Sequence, residues 1–222
     1  MNIAVMQPYF FPYLGYYQLI HAADLLVFLD DVHFIKRGWI NRNRIIINRD
    51  PSYFTVPCRS ISQNRTIQET VIAHQEFCPQ RLLRTFERAY KHAAYFDEVF
   101  PVICTIVLNP PPSISEYAQK SITAICQFLS IPIKTILSSQ SDVSRDLKGQ
   151  ERIIHLGKKY RASTYVNLPG GKTLYNDTSF NTHNISLLFI APVLREYPQN
   201  TNQFFPALSI IDLLMNCGKK KV

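Results

Sequence analysis

Residues 2–31 read NIAVMQPYFFPYLGYYQLIHAADLLVFLDD, and the order of patterns within them decides the fold class. Residues 2–6 are an apolar run of strand length, and Pro8 and Pro12 then remove two backbone donors, so the chain there is irregular. Residues 14–23 carry apolar side chains at helical spacing. Residues 25–29 are again unbroken apolar sequence, as in a strand covered on both faces. The stretch is therefore a βαβ unit with two parallel strands, and the residues that follow each strand lie at the carboxyl edge of the sheet, where open α/β sheets bind ligands.

Working outward, residues 44–47, 53–57 and 66–72 are short and rich in β-branched or aromatic residues and predict further strands, with the segment at about 44–72 an antiparallel edge or insertion. Residues 79–94 place Leu82, Leu83, Phe86 and Tyr90 on one helical face, and 95–107 continue the helix. Pro110, Pro111 and Pro112 force a break before a helix at 114–129. Then come a strand at 131–137, a helix at 149–160 with Ile153, Ile154 and Leu156 inward, strands at 163–167 and 185–190, and a closing helix at 208–215. The alternation predicts an α/β, Rossmann-like protein: a largely parallel sheet with helices on both faces.

At 222 residues the chain fits one domain spanning 1–222. Hydrophobic residues at 46% and charged residues at 18% exclude a disordered chain. No apolar run reaches the roughly 18–20 residues a bilayer span needs, and the N-terminus has no basic region or cleavage site, so a cytoplasmic protein without a membrane span is expected. The five cysteines, Cys58, Cys78, Cys104, Cys126 and Cys217, are widely spaced with no C-x-x-C, which suggests neither a disulfide framework nor a zinc knuckle. Six histidines show no H-x-x-x-H spacing, so no metal site is read, and no cofactor is assigned.

The net charge of +8 is uneven. Residues 36–65 contribute +6, seven Lys or Arg against Asp50 alone, and Lys219, Lys220 and Lys221 add +3, leaving the rest close to neutral. The early segment, FIKRGWINRNRIIINRD from Phe34, sets Lys36, Arg37, Arg42 and Arg44 around Trp39, Asn41 and Asn43. Phosphate suits such a set, because guanidinium forks match its oxygens and an indole stacks on a ring. A solvated loop with Trp39 in the core is the alternative. Gly15, with Tyr13 and Tyr16 beside it, opens the first helix, where free amides favour an anion. Gln7, Tyr9, Gly15, Asp30, Asp31 and the basic segment thus converge on one crevice, unless Tyr9 is a core aromatic and the acid pair pins a turn. His33 stands beside that pair as a base or a structural residue. Later, YVNLPGGKTLY from Tyr165 follows a strand with Gly170 and Gly171; it lacks the first glycine of a P-loop and instead presents Asn167 and Tyr175.

Six blocks in order carry a resemblance: MQPYFFPYLGYYQLI from Met6, DLLVFLDDVHF from Asp24, KRGWINRNRI from Lys36, GQERII from Gly149, YVNLPGGKTLY, and YPQNTNQFFPALSIIDLLMN from Tyr197. Together they resemble the WbqC-like family of surface-polysaccharide and specialised biosynthetic clusters. The resemblance implies a transferase that moves glycine or another acyl group to an amino sugar. It also implies importance for Gln7, Pro8, Tyr9, Pro12, Gly15, Tyr16, Asp30, Asp31, Lys36, Trp39, Asn41, Arg42 and Asn43, and for Gly149, Gln150, Arg152, Asn167, Gly170, Gly171, Tyr175, Tyr197, Gln199, Pro206, Ser209 and Asp212. A remoter likeness is to HIGH-type nucleotidylyltransferases such as pantothenate synthetase. Tyrosines here replace both histidines of their H-x-G-H, so the architecture is implied and the reaction is not.

The expected partners are small molecules, a nucleotide-activated amino sugar and an acyl donor. Asp30 or Asp31 is read as base and Lys36 or Arg42 as charge stabiliser. The competing classes are a nucleic-acid-binding module, against which the small basic footprint argues, and a non-catalytic partner in a biosynthetic complex.

Overall fold

The chain runs β1 (Asn2–Met6), α1 (Leu14–His21), β2 (Leu25–Phe28), β3 (Arg42–Ile47), β4 (Asp50–Thr55), α2 (Pro79–Tyr90), α3 (Phe96–Val107), α4 (Ile114–Phe128), β5 (Thr135–Leu137), α5 (Gly149–Lys159), β6 (Thr164–Asn167), α6 (Asp177–Asn181), β7 (Ser186–Phe189) and α7 (Ile210–Cys217), with 3-10 turns at Ser138–Gln140 and Pro169–Leu174. The structure is a computed structural model and describes residues 1–59, 61–62 and 64–219. Lys220 and Lys221 of the basic tail lie outside the described residues. The chain divides into two compact units.

The first unit comprises Met1–Gln7, Gly15–Asp31 and Pro132–Val193. Its five strands are all parallel, in the order β5-β2-β1-β6-β7. From β1 the chain steps outward through β2 to β5, then crosses back to the other side of β1 for β6 and β7, so the reversal of direction lies between β1 and β6. Strand alternation sends Ile3, Val5, Leu25, Val27 and Tyr165 to one face, where they pack with Ile153, Ile154 and Leu156 of α5 and Phe180 of α6. Right-handed crossovers in opposite directions put α1 on the other face, with Tyr16, Tyr17, Leu19 and Ile20 buried. This is the α/β architecture with helices on both faces that the alternation predicts.

The second unit comprises Pro8–Leu14, Val32–Ile131 and Leu194–Val222. Here β3 and β4 form an antiparallel hairpin, Arg42 opposite Thr55 through Ile47 opposite Asp50, which is a separate two-stranded sheet and not an edge of the parallel one. Helix α2 buries Leu82, Leu83, Phe86 and Tyr90, the face set by its periodicity. Helix α4 opens after the three prolines on Ser113, whose side chain accepts from the Ser115 amide at 3.1 Å.

Three sequence expectations are corrected. Residues 66–72 make only isolated bridges, Thr66 with His33, Val71 with Ser113 and Ile72 with Cys58. Glu69 accepts from both the amide and the hydroxyl of Thr66, and Thr70 donates to the Thr66 carbonyl, so local bonds hold a turn where a ladder is expected. Residues 95–107 do not continue α2: the Tyr95 amide bonds to the Met215 carbonyl, and α3 starts afresh at Phe96. The strand expected over 131–137 is confined to β5, since Pro132 has no amide to donate.

Candidate functional site

Because Phe28 of β2 pairs with Leu137 of β5, the residues just beyond each strand meet at the carboxyl edge of the sheet. Asp30 and Asp31, 2% and 6% exposed, face Ser138 and Ser139 there. The Ser138 hydroxyl lies between the carboxylates, 3.1 Å from Asp30 Oδ1 and 2.5 Å from Asp31 Oδ1, and takes a bond from the Asp30 amide. Ser139 gives Asp30 its amide at 3.0 Å and its hydroxyl at 2.7 Å. Asp31 Oδ2 is 2.5 Å from Nη2 of Arg152, itself 5% exposed. Arg145 approaches the same oxygen at 3.5 Å from a largely exposed position and contributes little. The counter-cation of the acid pair is therefore Arg152 of α5. Lys36 and Arg37 are exposed residues of the second unit.

At the end of β1, the buried Tyr16 donates its hydroxyl to the Gln7 carbonyl at 2.9 Å, and Gly15 sits in the first turn of α1. At the end of β6, across the reversal point, Asn167 donates to the Tyr165 hydroxyl at 3.0 Å and accepts from the Leu168 amide at 2.7 Å. The Tyr165 hydroxyl in turn reaches that of Tyr175 at 3.2 Å. Burial raises both tyrosines and keeps them protonated. Gly171 packs so closely on this network that a Cβ would stand 2.6 Å from Asn167 Nδ2, whereas nothing lies within 4 Å of one on the exposed Gly170. Asn167, Gly171 and Tyr175 thus come together, and the Asn167 amide is engaged within the loop itself.

The second unit holds an aromatic cavity. The bend that frames it centres on Phe11, held at a left-handed φ of 46° that costs a side-chain-bearing residue about 1–2 kcal/mol. Partners surround it: the Phe11 amide donates to Ser121 Oγ, and its carbonyl accepts from Asn43 Nδ2 at 2.8 Å and Ser209 Oγ at 2.9 Å. The bend so fixed places Tyr9, Pro12 and Tyr13 with Trp39, Asn43, Arg44 and Ala207 around a cavity of about 130 Å³. Trp39 stacks on Tyr53 at 6.2 Å between centroids, and the Arg44 guanidinium lies 5.5 Å from the Trp39 ring. Arg44 Nε is buried and has no hydrogen-bond partner among the described residues. Burial raises Tyr9 and Tyr13, so both present neutral hydroxyls.

The basic segment is thereby sorted into roles its sequence leaves open. Arg42 lies 4.4 Å over the Tyr53 ring and donates to the Gly38 and Arg37 carbonyls. Asn41 and Asn43 are buried, with their side-chain amides on the carbonyls of Val56 and of Phe10 and Phe11. His33 and Lys36 are exposed. Burial pushes the thiols of Cys58 and Cys126 up to about 12, so both rest protonated at neutral pH. Among the described residues, no group of three or more His, Cys, Asp or Glu is placed to hold a metal ion, and no helix is long and apolar enough to cross a membrane.

A reversed parallel sheet with polar residues along its carboxyl edge defines a doubly wound α/β protein. The chain belongs to the WbqC-like protein family, whose model matches residues 7–222. It is similar to the uncharacterized protein Rv1507c of Mycobacterium tuberculosis, 30% identical over 220 residues that cover 98% of this chain and 94% of that protein. No solved structure matches the chain, so the likeness to HIGH-type enzymes gains no support there. Several residues that the family pattern marks are now seen as partners: Arg152 with Asp31, Ser209 with Phe11, and Tyr197 with Asp212. Sequence reasoning left Ser138 and Ser139 outside the candidate site. Arg44 was visible in the basic cluster, while the two serines lie in a polar stretch with no distinguishing signal.

Proposed function

We propose that this chain is a biosynthetic transferase that carries glycine or another acyl group to the amino group of a nucleotide-activated sugar, as in surface-polysaccharide or specialised biosynthesis. The observation that carries the reading is the cavity of Tyr9, Tyr13, Trp39 and Arg44. Its volume suits one sugar or base ring, its walls are aromatic, and its guanidinium has a donor to spare, a combination matched to a ring that bears phosphate. The reversal between β1 and β6 supports a nucleotide-bearing ligand independently. In the transfer, the sugar amine forms a bond to the acyl carbon and loses a proton, and the donor's leaving group departs with its bonding pair. Within the first unit, the proton acceptor in this reading is Asp30 or Asp31.

Incubation with nucleotide-linked amino sugars and activated amino acids, read by mass spectrometry, tests the transfer. Titration of the same sugars tests the cavity, because Trp39 is the only tryptophan and its fluorescence should change on binding. Arg44→Gln should weaken that binding about ten- to hundredfold, the range for a lost charge-assisted bond. If no nucleotide sugar alters the fluorescence, and none gains mass, the reading fails.

A further inference from the structure

The hairpin joining β3 to β4 has a two-residue loop, since Ile47 pairs with Asp50. Both loop residues are left-handed, Asn48 at φ 52° and Arg49 at φ 68°, the geometry of a type I′ turn, which favours Asn-Gly. Asn48 meets that preference. Arg49 occupies the position where glycine is unstrained, so the hairpin alone gives no reason for an arginine there.

Arg49 lines a cavity of about 620 Å³ together with Asn48, Arg88, His92, Asn200 and Asn216. Asn200 is also left-handed, at φ 54°. Beneath them Tyr90 is anchored through its hydroxyl to Asp212 Oδ2 at 2.6 Å, and Asn216 to the Asp212 carbonyl at 2.9 Å, so the floor is fixed. Among the described residues no carboxylate pairs within 4.0 Å of Arg49, Arg88 or His92. Arg88 has a local reason to be where it is, since a cation in the last turn of α2 offsets the helix dipole. Arg49 has none, and two arginines without counter-ions line one cavity of mixed polar and apolar walls.

We infer that this cavity is a second binding site, for a phosphate-bearing polyhydroxylated small molecule: Arg49 and Arg88 fork the phosphate oxygens, and the side-chain amides of Asn48 and Asn200 meet hydroxyls. It shares no lining residue with the Trp39 cavity, so it stands apart from the transferase reading.

Calorimetry with a hexose phosphate, on wild type, Arg49→Gly and Arg88→Gln, tests it. Glycine relaxes the turn, so Arg49→Gly should melt no lower than wild type without ligand while binding hexose phosphate about ten- to hundredfold more weakly; Arg88→Gln should weaken it by a similar factor. No binding by wild type, or undiminished affinity in both variants, overturns the site. So does preference for a single-stranded oligonucleotide over hexose phosphate, lost in the same variants, which would assign the cavity to a polymer.

Discussion

Asp30 and Asp31 are neighbours in sequence and almost equally buried, yet their partners differ in kind. Asp30 is held by neutral donors from Ser138 and Ser139, whereas Asp31 faces the buried cation of Arg152. Asp30→Asn keeps acceptors and donors in balance, because the serine hydroxyls can reverse, and should change stability by less than about 1 kcal/mol. Asp31→Asn strands a buried guanidinium and should cost about 3–5 kcal/mol, read as a drop in the denaturation midpoint. Asp30→Asn is therefore the variant in which lost turnover would speak for a carboxylate base, free of an unfolding effect. The same contrast applies to the paired glycines. Gly171→Ala drives a methyl into Asn167 and should destabilise by about 1–3 kcal/mol, while Gly170→Ala meets open space and should stay within about 0.5 kcal/mol of wild type. What the sequence made legible here was position: the acid pair directly after an apolar strand, the glycines after another. Arg152 lies 121 residues from Asp31, and no local pattern specifies such a partner.

Elements with a strong period were legible for a physical reason: apolar spacing reports one buried face, and α2 buries the four residues its spacing names. The turn at 66–72 was not, because β-branched composition says nothing of the Glu69 carboxylate that captures Thr66. Nor does any period reveal what fastens α7. There Asp212 is 0% exposed, with the hydroxyl of Tyr90 from α2 at 2.6 Å and that of Tyr197 at 2.8 Å. Burial raises its carboxyl above the ordinary 3.8, against the lowering effect of the two phenols. A carboxyl raised on folding holds its proton more firmly in the native state, so its contribution is fully present below 3.8 and is lost as pH climbs through the raised value. Asp212→Asn removes this titration. The stability of wild type relative to Asp212→Asn should therefore fall as pH rises above about 4 and then level off, in urea midpoints measured across pH. Tyr90→Phe takes away a donor instead and should destabilise by about 1–3 kcal/mol.

At the scale of the chain, the sequence suggested one domain, and its composition shows no seam where the two units part: each is assembled from three separated segments, with residues 32–131 inserted between β2 and β5. Charge was legible as a sum but not as a surface. Of the seven cations in residues 36–65, Arg42 and Arg44 lie against Tyr53 and Trp39, leaving Lys36, Arg37, Arg49, Arg59 and Arg65 exposed. That number separates a nucleic-acid reading from a small-ligand one. If five exposed cations each displaced a counter-ion from duplex DNA, affinity should fall roughly 500-fold between 50 and 200 mM salt, whereas one or two phosphate contacts imply a loss of only about three- to tenfold. A nucleotide sugar seated against Arg44 should show the shallow dependence, because a partly buried pair is screened less than an exposed one. Fluorescence titration of Trp39 at the two salt concentrations measures the difference directly. A steep slope with DNA or RNA, and no response to any nucleotide sugar, would turn the exposed cations into the binding surface and leave the aromatic cavity as packing.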